Sequence, residues 1–567
     1  MATSLPVLVG YGNLLLITLI VTAIVAVAVV YQAFFAIRYP ASLPLGGEPP
    51  GARRFSLRTR WRYYTDCAGL YRQAYEQYTK KGKAVLLPGL GCRLDIILPQ
   101  SAMRWVLARP ENELSHADAV LEVVQLKYGL GDEKYKADPW PGMLVKTEIN
   151  AMLENVCADM NDELAHAFDR LLGDTGSDSD SWKEIDLLHT VRLVVAQAAS
   201  RFTVGLPLCR NQQYLRDCLR VVDGIVLNGG LTGACPRALR PILGPIFSWN
   251  LRRHVDRVKK HFEPLYRRRM QDLTMNNNNN NKRDEEGARQ AKGDPTTKPP
   301  DLLQMMLQYG LKERPGEVYD VDSMARRLCF ANFAAFHQTS ILITNMLLNI
   351  LSSDAEFNTI SVLRDEVARI VTGVGSPTGA AADDDLHPQW TKYKVAQMVK
   401  ADSVARETLR LNSYSNRGLF RKVMVDGIVT EEGIRLPKGA YLSFLGHPLQ
   451  CDPDTFDRPF RYDPFRFSRA REAAADHKGN AGLSNLSFVA TSPQHLPFGH
   501  GNHSCPGRFL VDFELKMIIA YLLENYHLDF PAEYAGNRPP NRWVAEALAP
   551  PAAVKIRVKR QKKETAH

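Results

Sequence analysis

One cysteine near the C-terminal end of the chain lies in the sequence window that most constrains the fold, FGHGNHSCPGRF at residues 498–509. Glycines flank Cys505 at positions 501 and 507, which allows the backbone to turn tightly and to approach a flat group closely. An apolar run with helical spacing follows. The cysteine is therefore predicted to precede a helix N-terminus, where backbone N–H groups stabilise a negative sulfur. This presentation suits a thiolate ligand for a haem iron.

The window resembles the haem-binding loop of the cytochrome P450 family, F-x-x-G-x-[RH]-x-C-x-G, and every defined position matches. The resemblance implies a mainly α (α+β) fold, with a large helical domain and small β-sheets. It also implies that Cys505 is the axial ligand to the iron of haem b. Phe498 would shield the sulfur and His503 would donate to a haem propionate. Gly501 and Gly507 would let the loop approach the macrocycle.

This window has two other interpretations. The cysteine could be a buried structural residue at a helix entry. Alternatively, His495, His500 and His503 could bind zinc together with Cys505. The zinc interpretation fails on spacing, because no paired C-x-x-C or H-x-x-x-H elsewhere would complete a tetrahedral site.

A Glu-x-x-Arg pair, Glu407 and Arg410, lies in a predicted helix over residues 393–411. Residues three apart share one helix face and can pair locally. Such pairs are common on solvated helix faces. Upstream of the cysteine, however, this one resembles the buried Glu–Arg pair of the family. The resemblance implies a structural network in which both residues bond with Arg466.

A hairpin is predicted from the apolar alternation at residues 420–423 and 434–439, with a Pro-Lys-Gly turn. The resemblance implies that Arg421 binds a haem propionate, which suits a fixed cation facing a carboxylate. An ordinary edge-strand arginine is the alternative. Lys146 is a candidate for the second propionate.

Residues 322–351 predict one long helix that is apolar nearly all round and therefore buried. Its centre, AAFHQTS at residues 334–340, is similar to the oxygen-activating pattern [AG]-G-x-[DE]-T-T of the family. The resemblance implies that four positions line the oxygen side of the haem: Ala335, His337, Gln338 and Thr339.

Gln338 departs from this pattern, because the family has a threonine at its position. A glutamine amide can order a water molecule, but it lacks a hydroxyl group. Thr339 or a substrate hydroxyl could take over the proton relay. The alternative is that Gln338 only fills a helix groove and water suffices.

The N-terminal segment is predicted to be a membrane anchor, because residues 2–37 carry no charge and the apolar run is long enough to span a bilayer. A cleaved signal peptide would instead begin with a basic residue. Arginines crowd the other flank and predict that the rest of the chain is cytosolic. The resulting prediction is a single-pass endoplasmic reticulum protein.

The predicted organisation has four parts. They are an anchor (1–38), a Pro/Gly/Arg-rich hinge (39–62), a haem-thiolate catalytic domain (63–560) and a basic tail (555–567). Residues 275–300, which include an asparagine run at 276–281, predict a disordered loop between the helical patterns at 250–273 and 302–309.

The net charge is +10. Anionic lipid headgroups and an acidic flavoprotein explain this excess better than nucleic acid, since no nucleic-acid-binding module is recognisable. The GLG sequence at residues 89–91 lies between predicted strands at 84–87 and 94–98, so it is a hairpin turn rather than a nucleotide loop. Electrons are therefore expected from NADPH through a separate NADPH–cytochrome P450 reductase.

The resemblance implies a monooxygenase that uses O2 to oxidise a lipophilic natural product. Residues 201–211 resemble a stretch of fungal enzymes of terpenoid, alkaloid and polyketide pathways. By the same analogy, residues 413–419 and 120–130 would contact the substrate. Two alternatives stay open: a reductase-independent haem-thiolate isomerase or dehydratase, which Gln338 favours, and a non-catalytic haem-binding protein.

Overall fold

The computed structural model describes Thr22, Ala26 and residues 37–173, 181–284, 301–372, 390–475 and 485–561. Most of these residues lie in α-helices, and the strands form small sheets. The predicted mainly α fold with small β-sheets is confirmed. The predicted anchor lies almost wholly outside the described residues, and within them no helix is both long and apolar enough to cross a membrane.

The described α-helices are, in chain order, α1 Leu57–Thr65, α2 Cys67–Gln77, α3 Met103–Ala108, α4 His116–Val124, α5 Leu126–Gly129, α6 Lys134–Ala137, α7 Trp140–Leu172, α8 Leu187–Thr203, α9 Gln212–Ala234, α10 Arg240–Phe247, α11 Trp249–Asp284, α12 Leu302–Glu313, α13 Pro315–Val318, α14 Val321–Phe357, α15 Thr359–Thr372, α16 Lys392–Ala396, α17 Val399–Asn412, α18 Gly446–Gln450, α19 Arg466–Ala475 and α20 Arg508–Asn525.

The described strands are β1 Val85–Pro88, β2 Leu94–Ile97, β3 Leu114–Ser115, β4 Lys183–Asp186, β5 Arg417–Val423, β6 Tyr441–Leu445, β7 Tyr526–Asp529, β8 Arg542–Val544, β9 Ala547–Ala549 and β10 Lys555–Arg560. One sheet has the order β1-β2-β6-β5-β3, a second β4-β10-β7 and a third β8-β9. Neighbouring strands are antiparallel except for the parallel pair β2 and β6. The predicted hairpin around GLG is the β1–β2 pair.

Helix α14 is the long buried helix that the sequence predicts, and it packs against α8, α9, α11 and α17. The side chain of Asp320 accepts a hydrogen bond from the N–H of Asp322 and caps the N-terminus. Asn358 ends the helix in a left-handed conformation, which asparagine tolerates better than most residues. Because α14 is buried over most of its length, it forms a rigid wall for the site.

The helix predicted over residues 393–411 is two helices, α16 and α17, separated at Gln397 and Met398. Helix α17 lacks a local side-chain cap. Instead, Glu366 of α15 accepts hydrogen bonds from the N–H groups of Lys400 at 2.7 Å and Ala401 at 3.0 Å. This cap comes from a distant part of the chain, so local sequence patterns could not predict the helix start.

The hairpin predicted around the Pro-Lys-Gly turn has a different second arm. Strand β5 pairs with β6, with Lys422 opposite Tyr441. Within the predicted arm at 434–439, only Arg435 makes a β-bridge, to Val429. The turn therefore leads into the true partner strand, and the prediction erred by a few residues.

Helix α11 continues beyond the predicted end at residue 273, through the asparagine run, to Asp284. The backbone of residues 275–284 is therefore helical rather than an irregular loop. The rest of the predicted loop, residues 285–300, lies outside the described residues.

Candidate haem-thiolate active site

The loop that carries Cys505 begins at Phe498 and ends where α20 begins. The Cys505 N–H donates to the carbonyl oxygen of Phe498 at 2.8 Å, which closes the loop. Gly501 has φ +71°, a conformation that residues with a Cβ rarely adopt. Gly507 has an ordinary φ of −81°, and an added Cβ would meet no atom within 4 Å. The predicted tight turn therefore depends on Gly501, while Gly507 leaves open space next to the cysteine.

Burial raises the pKa of the Cys505 thiol above its usual range. The N–H groups of Gly507 and Arg508 act in the opposite direction, as expected at a helix N-terminus. The protein alone therefore favours a neutral thiol, and a bound metal ion would supply the force that deprotonates it. Phe498 is half-buried, and its ring packs edge-on against Phe488 at a centroid distance of 5.1 Å.

The histidines of the zinc interpretation lie in separate environments. His500 Nδ1 is bonded to Thr491 Oγ1 at 2.9 Å, whereas the Nε2 atom of His495 is buried without a partner. His503 Nε2 pairs with Glu111. Within the described ranges, no three His, Cys, Asp or Glu side chains form a group that could hold a metal ion.

Arg421 is buried, with 2% of its surface exposed, and its guanidinium donates to the carbonyl oxygen of Phe420 at 2.9 Å. No carboxylate among the described residues lies within ion-pairing distance of it. Burial therefore lowers the pKa of Arg421, while the charge of Glu111 acts in the opposite direction. A buried cation without a close anion is costly, so this residue fits a site that receives an acidic group from a ligand.

His503 lies close to Arg421, and its Nε2 is 2.9 Å from Glu111 Oε1. Burial and the charge of Arg421 lower the pKa of His503, and Glu111 raises it. Its ring lies 5.1 Å from that of His116. Glu111 therefore occupies one nitrogen of the residue that the sequence assigns to a propionate.

Two further basic groups complete this cluster. Burial lowers the pKa of His116 to about 4, helped by the charges of Lys136 and Arg421. Burial also lowers the pKa of Lys136, which lies near enough to Glu111 and Cys505 for their charges to oppose the shift. Lys146 is exposed on α7, and its charge reaches His503.

The basic groups of this cluster are Arg421, His503, His116, Lys136 and Lys146. Glu111 supplies the carboxylate whose charge acts on Arg421, His503 and Lys136. This excess of donors beside the cysteine fits a cofactor with two carboxylates, as haem has.

On α14, Ala334 and Gln338 are exposed and lie four residues apart, hence on the same face. Ala335 is half-buried, whereas Thr339 is buried on another face. Adjacent residues of a helix point in different directions. Gln338 and Thr339 therefore do not present their polar atoms to the same space.

His337 is enclosed by aromatic rings. Its ring stacks on Phe333 at 5.8 Å and meets Tyr414 edge-on at 5.0 Å. Its Nε2 atom is buried without a hydrogen-bond partner. Burial lowers the pKa of His337 to about 4, so the ring is neutral near pH 7. Tyr414 belongs to the segment 413–419 that the sequence assigns to substrate contact.

The structure brings Glu407, Arg410 and Arg466 together. Arg410 Nε and Nη2 donate to the two carboxylate oxygens of Glu407 at 2.7 and 2.8 Å. Arg466 Nε donates to Glu407 Oε1 at 3.2 Å. Arg410 Nη1 also donates to the backbone carbonyl oxygens of Gln450 at 2.9 Å and Pro459 at 2.6 Å. The three side chains thus hold the backbone that precedes α19.

A family model described as Cytochrome P450 matches residues 143–558. The chain belongs to the cytochrome P450 family. It is therefore an oxidoreductase, a P450 monooxygenase, and family membership implies a haem-thiolate centre.

Several fungal P450s are similar to this chain over nearly their whole length. The identity is 63% over 533 residues with cytochrome P450 monooxygenase astC of Aspergillus terreus, covering 94% of each chain. With cytochrome P450 monooxygenase pbrC of Penicillium brasilianum it is 62% over 560 residues, covering 99% of this chain and 96% of the relative. Cytochrome P450 monooxygenase tenB of Beauveria bassiana is 44% identical over 553 residues, with 96% of each chain covered.

Sequence reasoning missed two members of the basic cluster in this P450, His116 and Lys136, and also the carboxylate that they face, Glu111. Each lies in or next to a short element between β2 and α7, far in sequence from the cysteine. No local motif marks them. Their role follows only from their position beside Arg421 and His503.

Proposed function

We propose that this P450 oxidises C–H bonds of a lipophilic natural product of fungal secondary metabolism, such as a terpenoid, alkaloid or polyketide. The observation that carries the proposal is the loop of Cys505, which holds a half-buried thiol beside an excess of basic groups. The fungal relatives support the same class of reaction. The aromatic rings of Phe333 and Tyr414 beside α14 suit an apolar substrate.

The proposed cofactor is haem b. Cys505 would bind its iron, and Arg421, His503 and Lys146 would bind its propionates with the help of His116 and Lys136. When bound, thiolate-ligated haem supplies the activation of O2 by cleavage of the O–O bond.

The chain's own residues control protons and water. Gln338 lies on the exposed face of α14 and can hold a water molecule between its amide and a bound substrate. The neutral His337 can accept or donate one hydrogen bond through Nε2 but carries no spare proton at pH 7. Phe498, whose ring packs on Phe488, would shield the sulfur from bulk water. Ala334 and Ala335 leave room beside them for a small molecule.

The proposed electron donor is a separate NADPH–cytochrome P450 reductase. The net charge of +10 favours an acidic partner, because opposite charges speed association and orient the two proteins.

We also propose that residues 1–38 anchor the protein in the endoplasmic reticulum membrane, with the catalytic domain in the cytosol. Exposed apolar side chains support this: Leu57, Trp61, Tyr64, Leu227, Leu231, Ile242, Ile246 and Trp249.

Tyr64 accepts a hydrogen bond from the Gly91 N–H at 2.8 Å, and Gly91 lies against Ala234 at the end of α9. Helices α1 and α9 therefore present their apolar residues close together. Ile37 lies beside Gly439 and Arg237, near the start of α10.

Fractionation of cells that express the full chain tests the membrane proposal. We expect the protein in the microsomal fraction after an alkaline wash, with its catalytic domain open to added protease. Recovery in the soluble fraction, or protection from protease, would contradict the proposal.

The function is tested first by the difference spectrum of the reduced protein with carbon monoxide, beside Cys505→Ala. We expect the red-shifted Soret band of thiolate-ligated haem, and its loss in the variant. Extracts of the producing fungus are then incubated with the protein, reductase and NADPH. Product that contains oxygen from O2 supports the proposal. Turnover without NADPH would favour the isomerase or dehydratase that the replacement of threonine by Gln338 suggests.

A further inference from the structure

The backbone at residues 487–490, directly before the cysteine loop, is held by side chains of two helices. Asp402 and Arg406 of α17 bind it from one side, and Arg508 of α20 binds it from the other. These three residues are distinct from the Glu407–Arg410–Arg466 network, which holds the chain before α19.

Asp402 is the centre of the first contact and is 4% exposed. Its Oδ2 accepts hydrogen bonds from the N–H of Phe488 and from Arg471, both at 2.8 Å. Its Oδ1 accepts from Lys516 Nζ at 3.0 Å. One carboxylate therefore links α17, α19 and α20 to the backbone before the cysteine loop.

Arg406 lies one turn further along α17. Its Nη1 donates to the carbonyl oxygens of Ser487 at 2.5 Å and Ala490 at 3.0 Å. Burial lowers the pKa of Arg406 to about 10, and the charge of Asp402 opposes the shift. The guanidinium group of Arg406 therefore binds backbone carbonyl oxygens of the segment before the cysteine loop.

Arg508 connects the backbone of residues 487–490 directly to Cys505, the proposed iron ligand. Its Nε donates to the carbonyl oxygen of Val489 at 3.1 Å, and its Nη1 donates to the carbonyl oxygen of Cys505 at 2.7 Å. Nη1 also lies 3.3 Å from Ser504 Oγ. The planar guanidinium group stacks over Phe509 at 4.5 Å, which fixes its orientation. A rigid fork of this kind can hold two carbonyl groups at a set separation.

A second path joins the same segment to the cysteine. Phe488, whose N–H binds Asp402, packs edge-on against Phe498. The carbonyl oxygen of Phe498 accepts the hydrogen bond of the Cys505 N–H at 2.8 Å. Polar and aromatic contacts thus reach both sides of the peptide that carries the thiolate.

We propose that Arg508 and Asp402 are positioning residues that fix residues 487–490 against the Cys505 loop and thereby hold the sulfur on the iron when the haem is reduced. The proposal rests on the haem-thiolate site described above. It assigns these residues a role in keeping the thiolate ligated, beyond their contribution to folding.

The first test compares the full-length protein with Arg508→Met and Arg508→Lys. Methionine keeps the length of the side chain but cannot bind either carbonyl group, and lysine can bind only one. The matched control is Arg469→Met, which removes an exposed arginine that binds Asp463 and does not touch residues 487–490. Asp402→Asn is the second positioning variant, since it keeps the shape but loses the charge.

The readout is the time course of the reduced carbon monoxide complex. We expect the thiolate form of Arg508→Met to convert to the form without thiolate ligation at least about tenfold faster than wild type, because two charge-assisted hydrogen bonds are lost and the loss of one corresponds to about tenfold. Arg508→Lys and Asp402→Asn should be intermediate, and Arg469→Met should match wild type. Haem content and the thermal unfolding temperature, measured in parallel, should change little in Arg508→Lys.

Equal conversion rates in wild type and Arg508→Met would overturn the proposal. A faster conversion in Arg508→Lys that is matched by a lower thermal unfolding temperature would also overturn it, because the residue would then act only through folding. If Arg508→Met binds no haem, the conversion rates of Arg508→Lys and Asp402→Asn are compared with wild type instead, and equal rates would overturn the proposal. A wild-type protein without the thiolate band would instead contradict the proposed function itself, so the two failures are distinguishable.

Discussion

Arg410 and Glu407 form a doubly hydrogen-bonded pair, with 2.7 Å from Nε to Oε2 and 2.8 Å from Nη2 to Oε1, and neither side chain is exposed to solvent. Two hydrogen bonds in one plane satisfy both charges where water cannot reach them. The remaining donors of Arg410 bind backbone carbonyl oxygens. The pair therefore holds the chain before α19 as well as itself.

Removing one partner of this pair should destabilise the fold strongly. Glu407→Gln leaves the buried Arg410 without its anion, at a cost of about 3–5 kcal/mol for a broken buried pair. We expect little soluble, haem-loaded protein, measured as haem per polypeptide and as the unfolding midpoint in denaturant. Arg62→Ala, at an exposed pair with Asp66, should cost less than about 1 kcal/mol. Similar losses of unfolding free energy in Glu407→Gln and Arg62→Ala would show that the buried pair stabilises the fold no more than an exposed pair does.

The sequence predicted those parts of the site whose residues are close together in the chain. The Cys505 loop, the Glu407–Arg410 spacing and the long helix α14 each depend on local periodicity or on a short motif. The basic cluster around Arg421 was only partly predictable, because it assembles from separate elements. The cap of α17 by Glu366 and the partner of β5 likewise depend on contacts across the fold.

The surroundings of His337 were predictable from the sequence only in part. Its position on α14 follows from helical spacing. Its enclosure by Phe333 and Tyr414, and hence its neutral state, follows from packing with the segment after α17. Short motifs therefore indicate which residues belong to a site, whereas burial determines their charge.

Arg421→Met should have opposite effects on the empty and the haem-loaded protein. In the apoprotein, the variant removes a buried cation without a close anion, so stability should rise by about 1 kcal/mol. Haem retention should fall about tenfold, since one charge-assisted bond to the cofactor is lost. Unfolding midpoints of the apoprotein and the rate of haem transfer to an acceptor protein measure the two effects.

Arg435→Met, at an exposed arginine, serves as the control for this substitution and should change neither quantity. If Arg421→Met lowers both the stability of the apoprotein and the retention of haem, Arg421 is a structural residue and not a cofactor contact.

Gln338→Leu should slow turnover and leave the haem site intact. The side chain keeps its approximate size but loses the amide that can order a water molecule. We expect product formation to fall about 100-fold, the lower end of the range for assisted proton transfer. Substrate-induced spectral change and the carbon monoxide spectrum should be unaltered. Gln308→Leu, an exposed glutamine on α12, is the control. Unchanged turnover in Gln338→Leu would favour the simple groove-filling role.

Glu514 on α20 predicts a pH-dependent contribution to stability. Its carboxyl group is buried, its Oε1 has no hydrogen-bond partner, and burial raises its pKa from 4.5 to about 8. The folded protein therefore binds this proton more tightly than the unfolded chain does. By linkage, the unfolding free energy falls as the pH rises from about 4.5 to about 8, by at most about 1.4 kcal/mol per pH unit, and is constant above that window.

Glu514→Gln removes the titration and keeps the shape of the neutral acid. The stability of this variant relative to wild type should rise steadily between pH 5 and about pH 8 and then level off, because only the wild type must release the proton. Unfolding midpoints across this pH range measure the difference, and the comparison cancels other titrating groups such as Asp512, which both proteins share. Glu432→Gln, at an exposed position, should track wild type at every pH. A constant offset between Glu514→Gln and wild type would mean that Glu514 is already ionised in the folded protein, with a solvated or paired carboxylate.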